Sequence, residues 1–133
     1  MTSYSMGPRM RRPGNNPVSL KELSEELRRF AKQRDWEQFH TPKNLAMALA
    51  GEAGELLALF QWLTEHEAKH IMDDSKRARR VREEIADVQA YLIRLADVLQ
   101  IDLAAAVRQK THLNRRRYPV AKAKGSAKKY TEL

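Results

Sequence analysis

The chain has 133 residues, no cysteine and a formal net charge of +8, and 42% of its residues are hydrophobic. This length supports one domain with a single core, and the lack of cysteine excludes disulfide bonds, thiolate metal sites and a cysteine nucleophile. No apolar run reaches the roughly 18–20 residues that would cross a bilayer, so we expect a cytoplasmic protein with no membrane partner.

The excess positive charge lies at the two ends of the chain. Between Val18 and Asn114 the acidic and basic residues nearly balance, whereas the flanking residues are rich in Arg and Lys. A domain that binds duplex nucleic acid more often carries its basic surface on the fold itself. We therefore expect no nucleic-acid partner. A non-catalytic helical bundle that binds nucleic acid through its basic tails is the less favoured alternative.

Residues 1–17 contain prolines, glycines and arginines without hydrophobic periodicity, which predicts a disordered N-terminal segment. The predicted domain then covers residues 18–119. Its first helix begins at a capping box formed by Ser19 and Glu22 and ends near Arg34, with leucine and phenylalanine on one face.

An aromatic connector, residues 35–40, leads into the second helix. Thr41 is the predicted N-cap, Pro42 suits the first helical position, and the leucine pattern continues to about Glu65. A polar stretch, residues 66–74, is predicted to link this helix to the next one.

The third helix is predicted over residues 75–99. Asp102 then caps a fourth helix, residues 103–116, which Pro119 terminates. The remaining residues, 120–133, form a basic C-terminal tail that we expect to be loosely held. No segment has a strand pattern, so we predict an all-α fold, an antiparallel four-helix bundle. The broad apolar stripes on helices two and three favour an oligomer.

Four acidic residues lie in or beside the apolar stripes of helices two and three. Glu52 and Glu55 are three residues apart on the second helix, and Glu84 and Asp87 have the same spacing on the third. Residues at this spacing share a helix face, and burying several ionised carboxylates is costly unless a cation compensates them. Because an all-oxygen ligand set suits Mg²⁺, we predict a Mg²⁺ site of the kind that hydrolyses phosphoanhydrides.

Two other interpretations of these acids stay open. A di-iron carboxylate bundle would need a Glu-x-x-His motif on two helices, and none of the four histidines follows one of these acids at that spacing. Alternatively, arginines such as Arg80, Arg82 or Arg94 could neutralise the acids in buried ion pairs.

Aromatic residues lie close to the acidic helices in the sequence. Trp36 and His40 precede the second helix and Trp62 comes near its predicted end, so their rings could stack on a base, although tryptophan equally fills a core. Tyr91 lies one turn beyond Asp87 and can approach the acidic face or fill the core.

Several segments resemble the MazG-like all-α nucleoside-triphosphate pyrophosphatases. The similarity is carried by DWEQFHTPKNL at residues 35–45, GEAGEL at 51–56, FQW at 60–62, EEIADV at 83–88 and NRRRYP at 114–119. The resemblance implies hydrolysis between the α- and β-phosphates of a deoxynucleoside triphosphate, with Mg²⁺ as the cofactor. It also implies a homo-oligomer, a tetramer, with pockets near its subunit interfaces.

Within this family, the chain is most similar to members that hydrolyse dCTP and base-modified dCTP to dCMP and pyrophosphate and so clean the nucleotide pool. A dUTP or broad-specificity pyrophosphatase of the same fold is the alternative, because Leu27 stands where we expect dCTP-specific relatives to carry a histidine. By position, the catalytic metal ligands would be Glu52, Glu55, Glu84 and Asp87. The implied substrate-binding residues are Trp36, His40, Trp62, Tyr91, Lys110 and Asn114.

Overall fold

A computed structural model describes residues 16–133, and every regular element within that range is helical. The α-helices are α1 (Leu20–Gln33), α2 (Pro42–Ala58), α3 (Glu65–Lys69), α4 (Ser75–Val98), α5 (Leu103–Arg117) and α6 (Val120–Ala123), with 3₁₀ turns at Ile71–Asp73 and Tyr130–Glu132. The all-α prediction is confirmed. Most of the predicted disordered segment, residues 1–15, lies outside the described residues. In the part described, no helix combines the length and apolar character needed to span a membrane.

Polar side chains cap the four long helices, three of them at the predicted residues and the fourth, α4, at Asp74, for which no cap was predicted. Ser19 and Glu22 form a reciprocal capping box at α1, in which each side chain accepts the other residue's backbone N–H at 3.2 Å. Thr41, Asp74 and Asp102 each accept a backbone N–H in the first turns of α2, α4 and α5. Because the first N–H groups of a helix lack intrahelical partners, each cap contributes about 1 kcal/mol of stability.

The second helix is shorter than the sequence pattern predicts. It ends at Ala58 instead of near Glu65, and tighter backbone turns continue to Leu63. The Thr64 side chain then accepts the backbone N–H of Glu67 at 3.1 Å and starts α3 inside the predicted polar link. The predicted boundary was therefore wrong, because a threonine cap favours a new helix over continuation of the old one.

Two helices end in a left-handed residue that is not glycine. Asp35 follows α1 with φ 55° and Gln100 follows α4 with φ 57°. In each case the next backbone N–H, of Trp36 or Ile101, donates to the carbonyl five residues earlier, which closes a Schellman motif. The first motif positions the aromatic connector at the end of α1, where Trp36 packs edge-on against Phe30 with ring centroids 5.7 Å apart.

Helix α4 is the central element of the packing, with α2 and α1 both packed against it. The buried apolar side chains are Ala31, Leu45, Ile71, Ala78, Val81, Ile93 and Ala96. Helix α5 contributes none of them and packs extensively against no other helix in the described part of the chain. In the described part of the chain, the packed helices are therefore α1, α2 and α4. Helix α5 does not complete the predicted four-helix bundle there.

The basic C-terminal tail has more structure than we expected from its sequence. It contains α6 and the final 3₁₀ turn. The ring of Tyr130 lies edge-on to Tyr118, with centroids 5.9 Å apart, and the Arg117 guanidinium lies 4.7 Å from the Tyr130 centroid. These ring and cation–π contacts attach the end of the chain to the last turn of α5.

A charged network joins α1, α4 and the aromatic connector. Asp97 accepts hydrogen bonds from Arg28 Nε at 3.0 Å and from Arg94 Nη1 at 2.7 Å. Arg94 is buried, and its Nε donates to Nδ1 of His40 at 3.3 Å. The hydrogen bond from Arg28, together with both guanidinium charges, holds the pKa of Asp97 below its usual value despite partial burial.

We expect Asp97→Asn to destabilise the protein by about 3 kcal/mol at neutral pH, because the buried guanidinium of Arg94 loses its counter-charge. Urea unfolding at a fixed protomer concentration measures this difference. Since folding lowers the pKa of Asp97 from 3.8, its charge stabilises the fold above that pH, and the contribution is lost as pH falls through the folded-state pKa. The difference between wild type and variant should therefore shrink in acid.

The matched control is Glu83→Gln, which breaks the exposed ion pair between Arg79 and Glu83 on the same helix. Solvent screening limits the contribution of this pair to about 0–1 kcal/mol. An Asp97→Asn cost no larger than that of the control would contradict the proposed importance of the buried network.

Candidate metal centre

Three of the four predicted acids meet where α2 packs against α4. Glu52 on α2 and both Glu84 and Asp87 on α4 offer carboxylate oxygens that all lie within 4.8 Å of one another. The spacing of three residues places Glu84 and Asp87 on one face of α4, toward α2. Oxygens bound to one Mg²⁺ lie at most about 4.2 Å apart, because each Mg²⁺–oxygen bond is about 2.0–2.1 Å long. The three carboxylates are therefore close enough to share one cation after small rotations of their side chains.

The cluster concentrates negative charge, and no basic side chain of residues 16–133 pairs with it. Burial raises the pKa of Glu52 above its usual value, and the charges of Asp87 and Glu84, a side-chain hydrogen bond with Glu84 and the charge of Glu55 raise it further. Oε2 of Glu84 is buried and accepts no hydrogen bond within the described part of the chain. A buried oxygen of this kind normally has a partner. The donor set therefore fits a hard divalent cation such as Mg²⁺.

The arginines considered as counter-charges have other positions. Arg94 pairs with Asp97, on the side of α4 that meets the connector. Arg80 and Arg82 are exposed. Within residues 16–133, neither they nor any lysine forms an ion pair with the acidic cluster. The geometry therefore does not support the ion-pair interpretation.

Glu55 is exposed and does not belong to the group of three. Its charge still acts on Glu52, three residues away, so its role as a fourth ligand stays a prediction. The glycines beside these glutamates, Gly51 and Gly54, face open space, since an added Cβ would meet no atom within 4 Å. Within the described chain, there is consequently room at this surface for water, a phosphate or another protein copy.

Trp36 and His40 lie together on the aromatic connector, with ring centroids 6.3 Å apart. Trp36 remains 42% exposed, whereas His40 is half-buried against Arg94. Burial, and then the Arg94 charge, lower the pKa of His40 below its ordinary value. The connector thus presents an accessible indole beside an imidazole that stays neutral near pH 7.

The other predicted substrate residues are more dispersed. Trp62 is 86% exposed, which excludes a core-filling role within the described chain. Tyr91 is half-buried on α4, one turn beyond Asp87. Lys110 is exposed and Asn114 half-buried on α5, which packs extensively against no other helix among the described residues. Their roles in binding substrate stay predictions.

The sequence pattern did not predict the partners of His40. Arg94 and Asp97 have the same i,i+3 spacing as the acidic pairs. That spacing indicates that Arg94 and Asp97 can pair on one face of α4. It does not show that the aromatic connector folds back against Arg94. Only the tertiary packing brings Arg28 and His40 to this pair.

Known proteins resemble this chain over most of its length. Its residues 48–133 match the MazG-like family. The human protein dCTP pyrophosphatase 1 is 46% identical over 125 residues, covering 91% of this chain and 74% of the human protein. The rat protein of the same name is 48% identical over 113 residues, covering 82% of this chain and 66% of the rat protein.

A solved structure also has a similar fold. The crystal structure of a pyrophosphatase from Archaeoglobus fulgidus superposes with a TM-score of 0.71 at 39% sequence identity, covering 81% of this chain and 99% of that chain. Sequence, fold and the convergent acids lead to the same assignment. The chain belongs to the MazG-like family.

Proposed function

We propose that this protein hydrolyses dCTP, including base-modified dCTP, to dCMP and pyrophosphate in a Mg²⁺-dependent reaction. The observation that carries the proposal is the convergence of Glu52, Glu84 and Asp87 without a counter-charge in the described residues. The choice of base is supported by the 46% identity to a protein named dCTP pyrophosphatase 1. Such an activity would remove excess or modified nucleotides from the cytoplasmic pool.

The acidic residues would act on the reacting phosphates through a bound metal ion. Glu52, Glu84 and Asp87 would hold Mg²⁺, with Glu55 as a fourth ligand at the exposed edge. A bound Mg²⁺ supplies neutralisation of phosphate charge and a water of lowered pKa. Hydrolysis then adds one water across the anhydride between the α- and β-phosphorus atoms and breaks one P–O bond. Because α2 and α4 pack against each other, the carboxylates are held before substrate binds.

Aromatic and donor side chains would bind the rest of the nucleotide. The exposed ring of Trp62 and the partly exposed ring of Trp36 are available for stacking on a base, which contributes roughly 1–3 kcal/mol per base. Tyr91 lies on α4, one helical turn beyond Asp87, and would approach the nucleotide from that helix. Lys110 and Asn114 on α5 would donate hydrogen bonds to phosphate oxygens.

The apolar surface of the chain supports an oligomer. Met47 and Leu57 on α2 are 62% and 60% exposed, Ile85 on α4 is 52% exposed, and Val107 on α5 is 58% exposed. Contiguous apolar surface marks sites that associate with protein, and these side chains supply exposed apolar area on three helices. The proposed assembly is a homotetramer in which α5 packs against another copy and completes an antiparallel four-helix bundle.

The substrate assignment predicts that, with Mg²⁺ present, dCTP releases pyrophosphate faster than dTTP or dUTP does, and that EDTA abolishes the release. Detection of phosphate after added inorganic pyrophosphatase measures the rates across a panel that includes modified dCTPs. Faster hydrolysis of dUTP would favour the alternative specificity, for which Leu27 on α1 is the motivating residue. Absence of release from every nucleotide would contradict the proposed function.

The metal assignment predicts that Glu52→Gln and Asp87→Asn each lower turnover by more than roughly 100-fold. Loss of a residue that only hydrogen-bonds to a metal ligand costs up to about that much, so a larger loss indicates a direct ligand. Helical circular dichroism should stay unchanged, because the substitutions relieve repulsion between like charges. Mg²⁺ should raise the melting temperature of the wild type but not of these variants. Glu83→Gln, an exposed neighbour outside the cluster, is the control and should retain turnover and the Mg²⁺ shift. Loss of helix in the cluster variants would instead indicate a structural role.

The assembly predicts a mass of four protomers in size-exclusion chromatography with light scattering. Met47→Glu and Leu57→Glu should reduce this mass, because each buries a charge in the proposed interface. Lys69→Glu on the short exposed helix α3 is the control and should leave the tetramer intact. A monomeric wild type with full activity would contradict the proposed assembly.

A further inference from the structure

Arg94 is the one buried charged residue among those described, with 6% relative exposure. Its guanidinium makes two contacts with different chemistry. Nη1 donates to Oδ2 of Asp97 at 2.7 Å, and Nε donates to Nδ1 of His40 at 3.3 Å. Arginine has donors but no acceptor, and it keeps its protons at any physiological pH. The direction of both hydrogen bonds is therefore fixed.

The direction of the second bond decides where His40 carries its proton. A ring nitrogen that accepts from Nε of Arg94 has no hydrogen of its own. The neutral imidazole then carries its single proton at Nε2. The other tautomer would direct an N–H toward the N–H of Arg94, and the imidazolium would add repulsion between two cations.

We propose that Arg94 is a positioning residue of the nucleotide site, which holds His40 as the Nε2–H tautomer so that this N–H donates to an acceptor atom of the nucleotide base. The inference rests on the proposed function, because it takes the aromatic connector as part of the nucleoside pocket. A carbonyl oxygen or an unprotonated ring nitrogen of a pyrimidine is an acceptor of the required kind.

The surroundings of His40 favour its neutral form. Arg94 faces it from α4, and Glu37 acts on it from the connector itself. Burial and the Arg94 charge lower the pKa of His40, and the Glu37 charge opposes them with a smaller effect. Behind Arg94, Asp97 compensates the buried guanidinium, and Arg28 in turn pairs with Asp97. This network fixes the orientation of the group that contacts His40.

Nuclear magnetic resonance of ¹⁵N-histidine-labelled protein tests the tautomer directly. Long-range ¹H–¹⁵N correlations distinguish the two tautomers and the imidazolium, and His40→Gln assigns the signal among the four histidines. We expect the Nε2–H pattern in the nucleotide-free wild type at neutral pH. Arg94→Met should give mixed tautomers and a His40 pKa nearer the ordinary value of about 6.5. Arg28→Met is the matched control, since it removes an arginine of the same network that does not touch His40, and it should keep the wild-type pattern.

Steady-state kinetics with dCTP tests whether the Nε2–H tautomer of His40 contributes to nucleotide binding. Loss of one neutral hydrogen bond should raise KM by roughly two- to tenfold in Arg94→Met, with kcat nearly unchanged. In a His40→Ala background, Arg94→Met should add no further increase, because Arg94 acts through His40.

If Arg94→Met does not fold, a variant that replaces both Arg94 and Asp97 provides the same test. Arg94→Met combined with Asp97→Leu leaves no uncompensated buried charge, and replacement of a buried ion pair by apolar residues often preserves the fold. It should show the same change in tautomer and KM. The proposal is overturned if wild-type His40 is an Nδ1–H tautomer or an imidazolium, or if the Arg94 variants keep the wild-type tautomer. An equal KM increase in the His40→Ala background would also overturn it.

The two proposals fail in different ways. If the wild type hydrolyses no nucleotide, the proposed function is wrong and the part of this inference that concerns the nucleotide is wrong with it. The tautomer of His40 and its dependence on Arg94 are measured without nucleotide, so that part stands or fails on the spectrum alone.

Discussion

The proposed catalytic site depends on the approach of three carboxylates where α2 packs against α4. Glu52, Glu84 and Asp87 lie close enough for their charges to oppose one another, and the resulting repulsion together with burial raises the pKa of Glu52. Apolar packing holds the two helices together despite this repulsion, since Leu45 on α2 and Val81 on α4 are both buried. A divalent cation would convert the repulsion into attraction, so binding of the ion and packing of the two helices stabilise each other.

Helix α4 separates two electrostatic environments. One part of it carries the acidic residues toward α2, and the other carries buried Arg94, whose charge is compensated by Asp97. The same guanidinium contacts His40, so α4 is connected to both the proposed metal ligands and the aromatic connector. In the proposed function, one rigid helix would support the metal site and orient a histidine toward the base, which is how a small chain could preorganise a nucleotide site.

Local signals in the sequence predicted much of this arrangement. Thr41 and Asp102 cap helices where expected, because a cap depends on its own neighbours. The cap at Thr64 was missed although its T-x-x-E pattern is local, since the leucine pattern continues across it. The contact between His40 and Arg94 was not predictable from spacing, because it joins residues 54 positions apart. Periodicity likewise identifies an apolar stripe but not the surface that covers it, so the sparse packing of α5 is a result of the structure alone.

The most direct test of the central claim is a crystal structure of the nucleotide-free protein soaked in Mn²⁺, which takes oxygen ligands as Mg²⁺ does and gives an anomalous signal. The account predicts an anomalous peak between the carboxylates of Glu52, Glu84 and Asp87, within bonding distance of all three. The account would be contradicted if no anomalous peak appeared between these carboxylates. It would also be contradicted if a lysine or arginine side chain occupied that position.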